Sequence, residues 1–164
     1  MRFEKVISGG QTGADIAGLK AAKDCGFLTS GYMPKGWITL DGPKPEYEQL
    51  YSMLEFPISG YPPRTEGNVK YSDGTFRFAR DYFSPGELCT KKFIKLHNKP
   101  SLDFDMNNLT DSTVVGTYQW ILYNDIRVLN IAGNTEKTAP GIEKEVYKFL
   151  CKVFSKFKNE NPSI

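Results

Sequence analysis

An α/β fold with a mainly parallel open sheet, helices on both faces and a long ordered loop region after the second strand is predicted by three features of the sequence. Short apolar runs alternate with stretches of helical periodicity. The clearest runs, Val6-Ile7 and residues 128–132, are nearly continuous in apolar character, as strands buried on both faces are. Three strand-to-helix junctions, residues 8–13, 84–90 and 133–141, carry glycine together with serine or threonine. Strands that alternate with helices in this way need crossover connections, and those make the sheet parallel.

The first run, Lys5-Val6-Ile7, is followed by Ala14, Ala17, Ala21 and Cys25 at helical spacing, small side chains that let a helix lie close on a sheet. Gly26 ends that helix. Residues 27–32 give a second short strand. From Met33 to Gly74 prolines and glycines break the pattern, leaving a helical turn or two over residues 47–54. Trp37, Tyr47, Tyr51, Phe56 and Tyr61 supply aromatic anchors there, so the segment reads as an ordered binding loop. Residues 75–79 alternate like a strand. Ser84-Pro85-Gly86 opens a helix to about Asn98, with Cys89, Phe93 and Leu96 as its inner stripe and Lys91, Lys92 and Lys95 toward water. Pro100 stops it. A strand over 101–104 follows, and Asp111-Ser112 caps a helix whose Val114, Tyr118, Ile121 and Leu122 share a face. After the strand at 128–132, Ile142, Val146, Phe149, Leu150, Val153 and Phe157 form the most regular amphipathic pattern of the chain.

The 164 residues suffice for one domain, taken as residues 1–164, that buries a core without disulfides or metal. Apolar residues make up 40% and charged residues 24%, which argues against disorder. The formal charge of +2 is too small to announce a polyanion partner, so nucleic-acid binding ranks last. Cys25, Cys89 and Cys151 form no CxxC pair and read as small buried helix residues; no metal site is expected. No apolar run approaches a membrane span, and the expected location is the cytoplasm.

In an open parallel sheet the strand-to-helix junctions lie along the carboxyl edge, where ligands bind. Helix N-termini offer unpaired N–H groups and partial positive charge, and glycine clears side chains from an anion's path. The expected ligand is therefore a small anion-bearing molecule. Ser8, Gln11 and Thr12 supply side-chain hydrogen bonds, as do Thr90 and Thr138 at the other junctions; Lys35, Arg64 and Lys137 are the candidate cations. Asp15 either favours the helix dipole or grips a ribose hydroxyl or an amino group. Gly9-Gly10-x-x-Gly13 is neither the dinucleotide fingerprint nor a Walker loop.

The stretches "VISGGQTGADIAGL", "GYMPKGW", "YPPRTEGNVKYSDGT", "SPGELCT" and "LNIAGNTEKTAPGI", taken in order over nearly the whole chain, resemble the molybdenum carrier proteins. These belong to the wider Rossmann-like group that includes the LOG phosphoribohydrolases. The resemblance implies a Rossmann-like, homo-oligomeric domain that binds molybdenum cofactor, with the metal carried on the cofactor's own dithiolene. Carried over, the phosphate-facing positions are Gly9, Gly10, Thr12 and Gly13, with Pro85, Gly86 and Thr90, and the loop of Gly133 and Asn134. Three positions depart from the family pattern. Ile16 stands where Arg is common, Trp37 where a small or basic residue is common, and "SPGELCT" lacks glycines of the usual P-G-G-x-G-T.

Three functions remain open: a carrier of molybdenum cofactor, a sensor or sponge for a nucleotide-derived signal, and a phosphoribohydrolase acting on nucleoside monophosphates. The position of the LOG catalytic glutamate is Phe93, and Glu87 stands at the wrong spacing with no obvious carboxylate partner. Binding without turnover is thus the first expectation, with no catalytic residue assigned. His97, the only histidine, reads as a surface or capping residue.

Overall fold

The structure, a computed structural model, describes residues 3–159. The chain runs through β1 (Lys5–Ser8), α1 (Ala14–Asp24), β2 (Leu28–Ser30), β3 (Tyr32–Met33), β4 (Ile38–Thr39), β5 (Gly42–Pro43), α2 (Tyr47–Tyr51), β6 (Leu54–Glu55) and α3 (Tyr61–Lys70). It continues with β7 (Gly74–Ala79), α4 (Pro85–Leu96), β8 (Ser101–Asp105), α5 (Asp111–Tyr123), β9 (Val128–Gly133) and α6 (Ile142–Asn159).

The main sheet has five strands in the order β2-β1-β9-β7-β8, every pair parallel. Counted from β9 rather than from β1, that order becomes 3-2-1-4-5, the arrangement of doubly wound dinucleotide-type folds. The strand at the centre of the sheet is thus the last that the described residues form. Both flanks depend on it: Ser8 of β1 pairs with Ile131, and Phe76 of β7 pairs with the same residue from the other side.

Strand alternation divides the layers. Phe76 and Phe78 point into a core shared with α1, α5 and α6, where Phe78 stacks on Phe104 with ring centres 4.3 Å apart. Truncating either phenylalanine to Ala would cost about 3 to 5 kcal/mol. Arg77, between them, points to the opposite face and reaches Glu87 of α4. On that face α3 packs on α4 through Val69, Phe93 and Ile94. Small residues set the α1 approach: a Cβ at Gly18 would fall 2.7 Å from the Ile131 side chain.

Several expectations are corrected or refined. The region after β2 is ordered, but Tyr61–Lys70 within it is a helix. Pro62 and Pro63 fall in its first turn, where their missing N–H groups are not needed and their fixed φ suits the helix. They start α3 instead of breaking it. Leu96 is not on the inner stripe of α4; it is 63% exposed, and Ile94 fills the inward place. Leu122 likewise faces outward, while Thr117 joins Val114, Tyr118 and Ile121 on the buried side. The cap of α5 is Thr110, in a reciprocal box with Thr113, rather than Asp111-Ser112. Only Cys25 of the three cysteines is buried; Cys89 and Cys151 are half-buried. His97 ends α4 and meets Glu66 of α3 at 2.9 Å. Among the described residues no helix is long and apolar enough to cross a membrane.

Candidate functional site

A cavity of about 390 Å³ opens at the carboxyl edge of the sheet, a size that suits a small-molecule site. Its floor is the end of β9, from Asn130 to Gly133. One wall is the β1–α1 junction with Gly9, Gln11 and Asp15, and the other is the start of α4 with Pro85, Gly86, Glu87 and Thr90. Arg64 of α3 enters from above, and Leu40 and Tyr61 form an apolar rim. The floor lies where the chain turns outward in opposite directions from the central strand, the position at which such sheets bind ligands.

The β1–α1 junction satisfies most of its own polar groups. Gly10 N–H donates to Ser8 Oγ at 3.1 Å, Gln11 N–H to Asp15 Oδ2 at 3.3 Å, and Thr12 N–H to Gln11 Oε1 at 2.9 Å. Ala14 N–H donates to the Asn134 carbonyl at 3.1 Å. Gly13 has φ +85° and stands so close to the β9–α6 loop that a Cβ would lie 2.3 Å from the Asn134 oxygen. Its glycine is required by packing and backbone conformation. Asn134 braces the third junction, its Oδ1 accepting from the N–H groups of Arg80 and Asp81 and its Nδ2 donating to Asp81 O.

The start of α4 differs. Ser84, the N-cap, makes no side-chain capping bond, and the first amide to find a helical carbonyl is Leu88, which donates to Ser84 O. The N–H groups of Gly86 and Glu87 have no partner among the described residues and lie on the cavity wall. A Cβ at Gly86 would meet nothing within 4 Å. These are the free amides and the partial positive charge that an anion needs.

The Arg64 guanidinium lies against the first junction, over Gly9 and beside Asp15. A Cβ at Gly9 would come within 1.7 Å of its Nη1, so the bare backbone at Gly9 makes room for a guanidinium. Nη1 is 3.7 Å from Asp15 Oδ2, too long for a hydrogen bond, and the buried Nε has no partner. The cation is close to buried and under-satisfied.

Two buried carboxyls share the cavity. Burial raises the Asp15 pKa to about 6 despite the opposing Arg64 charge and the Gln11 N–H. Burial likewise raises Glu87 to about 7, against the pull of Arg77 and with Asp15 among the charges pushing it up. Arg77 holds Glu87 in place by donating to its carbonyl at 3.1 Å while pairing with Asp103 on its other side. The carboxylate partner that Glu87 lacks in sequence is therefore Asp15, brought across the cavity by the sheet. Glu87, Asn130 and the rim residues Leu40 and Tyr61 are among the cavity residues that sequence reasoning did not name as site residues.

Of the residues singled out from sequence, Gly9, Gln11, Asp15, Arg64, Pro85, Gly86, Thr90 and Gly133 line this cavity. Ser8, Gly10, Thr12, Gly13 and Asn134 lie behind it as scaffold, and Lys35 is exposed on the loop after β3, off the cavity wall. Gly10 faces the Met33 side chain. Ile16 and Trp37, both departures from the family pattern, meet in one apolar cluster with Leu19, Met33 and Met53. That cluster lies away from the cavity, whose wall neither residue joins.

Such a sheet, permuted so that its first strand comes last, with a cleft at the carboxyl ends beside the central strand, defines a circularly permuted Rossmann-like domain. The particular family follows from comparison. Residues 6–154 match the circularly permutated YpsA SLOG family, and the chain belongs to it. It is similar to the crystal structure of a "Putative molybdenum carrier protein" from Syntrophus aciditrophicus SB, with 35% identity and a TM-score of 0.84 over 93% of this chain and 94% of that one. A comparison with curated proteins finds no match.

Proposed function

We propose that the cavity binds a phosphorylated heterocycle, with the phosphate at the start of α4 beside Arg64 and the ring against the wall of Gln11 and Asp15. Arg64 carries this reading. A guanidinium with 11% of its side chain exposed, a long ion pair and an unpartnered buried Nε is a demand for an anion. The free amides of Gly86 and Glu87 open on the same space.

Molybdenum cofactor, a pterin phosphate, is the first candidate, on the name borne by the 35%-identical relative. The residues fit it: Arg64 and the α4 amides suit its phosphate, and the cavity volume suits its ring system. Among the described residues no cluster of three or more His, Cys, Asp or Glu side chains is placed to hold a metal. When bound, the cofactor supplies the metal on its own dithiolene. Protein purified without added ligand is expected to release a phosphorylated heterocycle on denaturation, read by mass spectrometry, absorption and molybdenum content. A pterin with molybdenum marks a carrier and a nucleotide marks a sensor or sponge. A wild-type chain that binds neither ribose 5-phosphate nor any phosphorylated heterocycle overturns the proposal. The resemblance also implies a homo-oligomer, which light scattering measures directly.

A hydrolytic reading is favoured by one observation, the pair of raised carboxyls facing one cavity. Release of free base from a nucleoside monophosphate, lost in Glu87→Gln, would establish it.

A further inference from the structure

We propose that the cavity selects heterocycles presenting a carbonyl, a ring N–H and an amino group in a row, the lactam–amidine edge shared by guanine and pterins, and that Gln11 and Asp15 read that edge. This rests on the anion-binding reading above and names the ring class that the site accepts.

The argument is an inventory of hydrogen-bonding capacity left over in the wall. Gln11 Oε1 is fully engaged, accepting from Thr12 N–H and from Leu40 N–H, both at 2.9 Å. Those two bonds fix the orientation of the amide and leave Nε2, which has no partner among the described residues, as a donor at the cavity. Asp15 sits beside it, since its Oδ2 receives Gln11's own main-chain N–H. A carboxylate has about four acceptor sites, and the protein leaves part of that capacity unused. Across the cavity, Glu87 is engaged on one oxygen by Arg77 and keeps its Oε1 without a partner among the described residues. Asn68, by contrast, is spent: both ends of its amide bind the Tyr32 backbone. Thr90 donates to Gly86 O.

With Arg64 and the α4 amides taken by the phosphate, the ring meets one amide donor next to a carboxylate acceptor, with a second carboxyl opposite. An edge that offers an acceptor followed by two donors satisfies this wall. Adenine, whose edge offers one acceptor nitrogen and one amino group, meets the amide donor and one carboxylate oxygen but brings no second donor for the other. Sites built to hydrogen-bond a group reject analogues lacking it far more strongly than apolar pockets reject a missing methylene.

Isothermal titration calorimetry of the full chain with GMP, inosine monophosphate, AMP and ribose 5-phosphate tests this. GMP is expected to bind at least about tenfold more tightly than AMP and than inosine monophosphate, each of which offers the carboxylate one donor instead of two. The gap is expected to close in Asp15→Asn. Gln11→Glu, which keeps Oε1 on its two N–H partners and turns the donor into an acceptor, provides a second variant and is expected to lose GMP affinity. Equal wild-type affinity for GMP and AMP overturns the inference; if ribose 5-phosphate still binds, the anion reading survives. Failure of all four probes, with no phosphorylated heterocycle released from the purified chain on denaturation, removes both.

Discussion

The junction between β1 and α1 and the junction before α4 both place glycine at the start of a helix, and they use it in opposite ways. In the first, the amides of Gly10, Gln11, Thr12 and Ala14 are taken by Ser8, Asp15, Gln11 and Asn134, and Gly13 is pressed against the neighbouring loop. In the second, one glycine with open space above it leaves two amides free on a cavity wall. Glycine content alone therefore does not rank anion sites. What ranks them is whether the amides that glycine exposes are already spent.

Substitutions can break this contrast. The largest expected effect is on folding: Gly13→Ala forces a Cβ against the Asn134 carbonyl at positive φ, and a fall in melting temperature of about 10 °C or an insoluble chain is expected. A melting temperature unchanged by that substitution would show the first junction to be looser than described. Arg64→Ala should weaken ribose 5-phosphate binding by about a hundredfold in calorimetry while the fold persists, because it deletes the cation facing the anion. Loss of stability with affinity intact would make Arg64 a structural residue. Gly86→Asp places a negative charge at the second junction; a roughly tenfold loss of affinity is expected without loss of stability, since Asp in the first turn suits the dipole of α4.

A smaller effect is expected from pH. The folded pKa values of Asp15 and Glu87, about 6 and about 7, lie above the ordinary 3.8 and 4.5, so folding takes up protons at both carboxyls. Their contribution to stability is most favourable at low pH and falls as pH rises through 7. Between pH 6 and 8 the loss is on the order of 1 to 2 kcal/mol, a melting shift of about 4 °C. Thermal melts of Glu87→Gln should show a flatter pH dependence; an unchanged slope would assign it to other groups. The smallest effect belongs to Gly86→Ala, whose Cβ meets nothing within 4 Å, and melting should stay within about 2 °C of the parent.

Local signals in the sequence were read well where they were periodic or punctuated. The β1 and β9 runs, the α6 stripe and the start of α4 fall where their residues predict. Arg64 was legible as a cation, but the helix that carries it was not, because Pro62-Pro63 reads equally as a break and as a first turn. The role of Gly9 as space for a guanidinium was hidden, since Arg64 reaches it only through the packing of α3 over the sheet edge. The Asp15 and Glu87 pair was hidden for the same reason: nothing local connects a residue of α1 to one of α4, and only strand order does. Leu96 and Leu122 show the limit of periodicity, which gives a face but not its width.

The placement of β9 has a consequence for biosynthesis. As the chain leaves the ribosome, β1 and β7 are both made before the strand that joins them, so each waits with an unpaired edge and an uncovered apolar face. The cavity floor, Asn130 to Gly133, is translated after both of the cavity's walls. A chain cut short before β9 thus lacks both the floor of the cavity and the strand that joins its two walls.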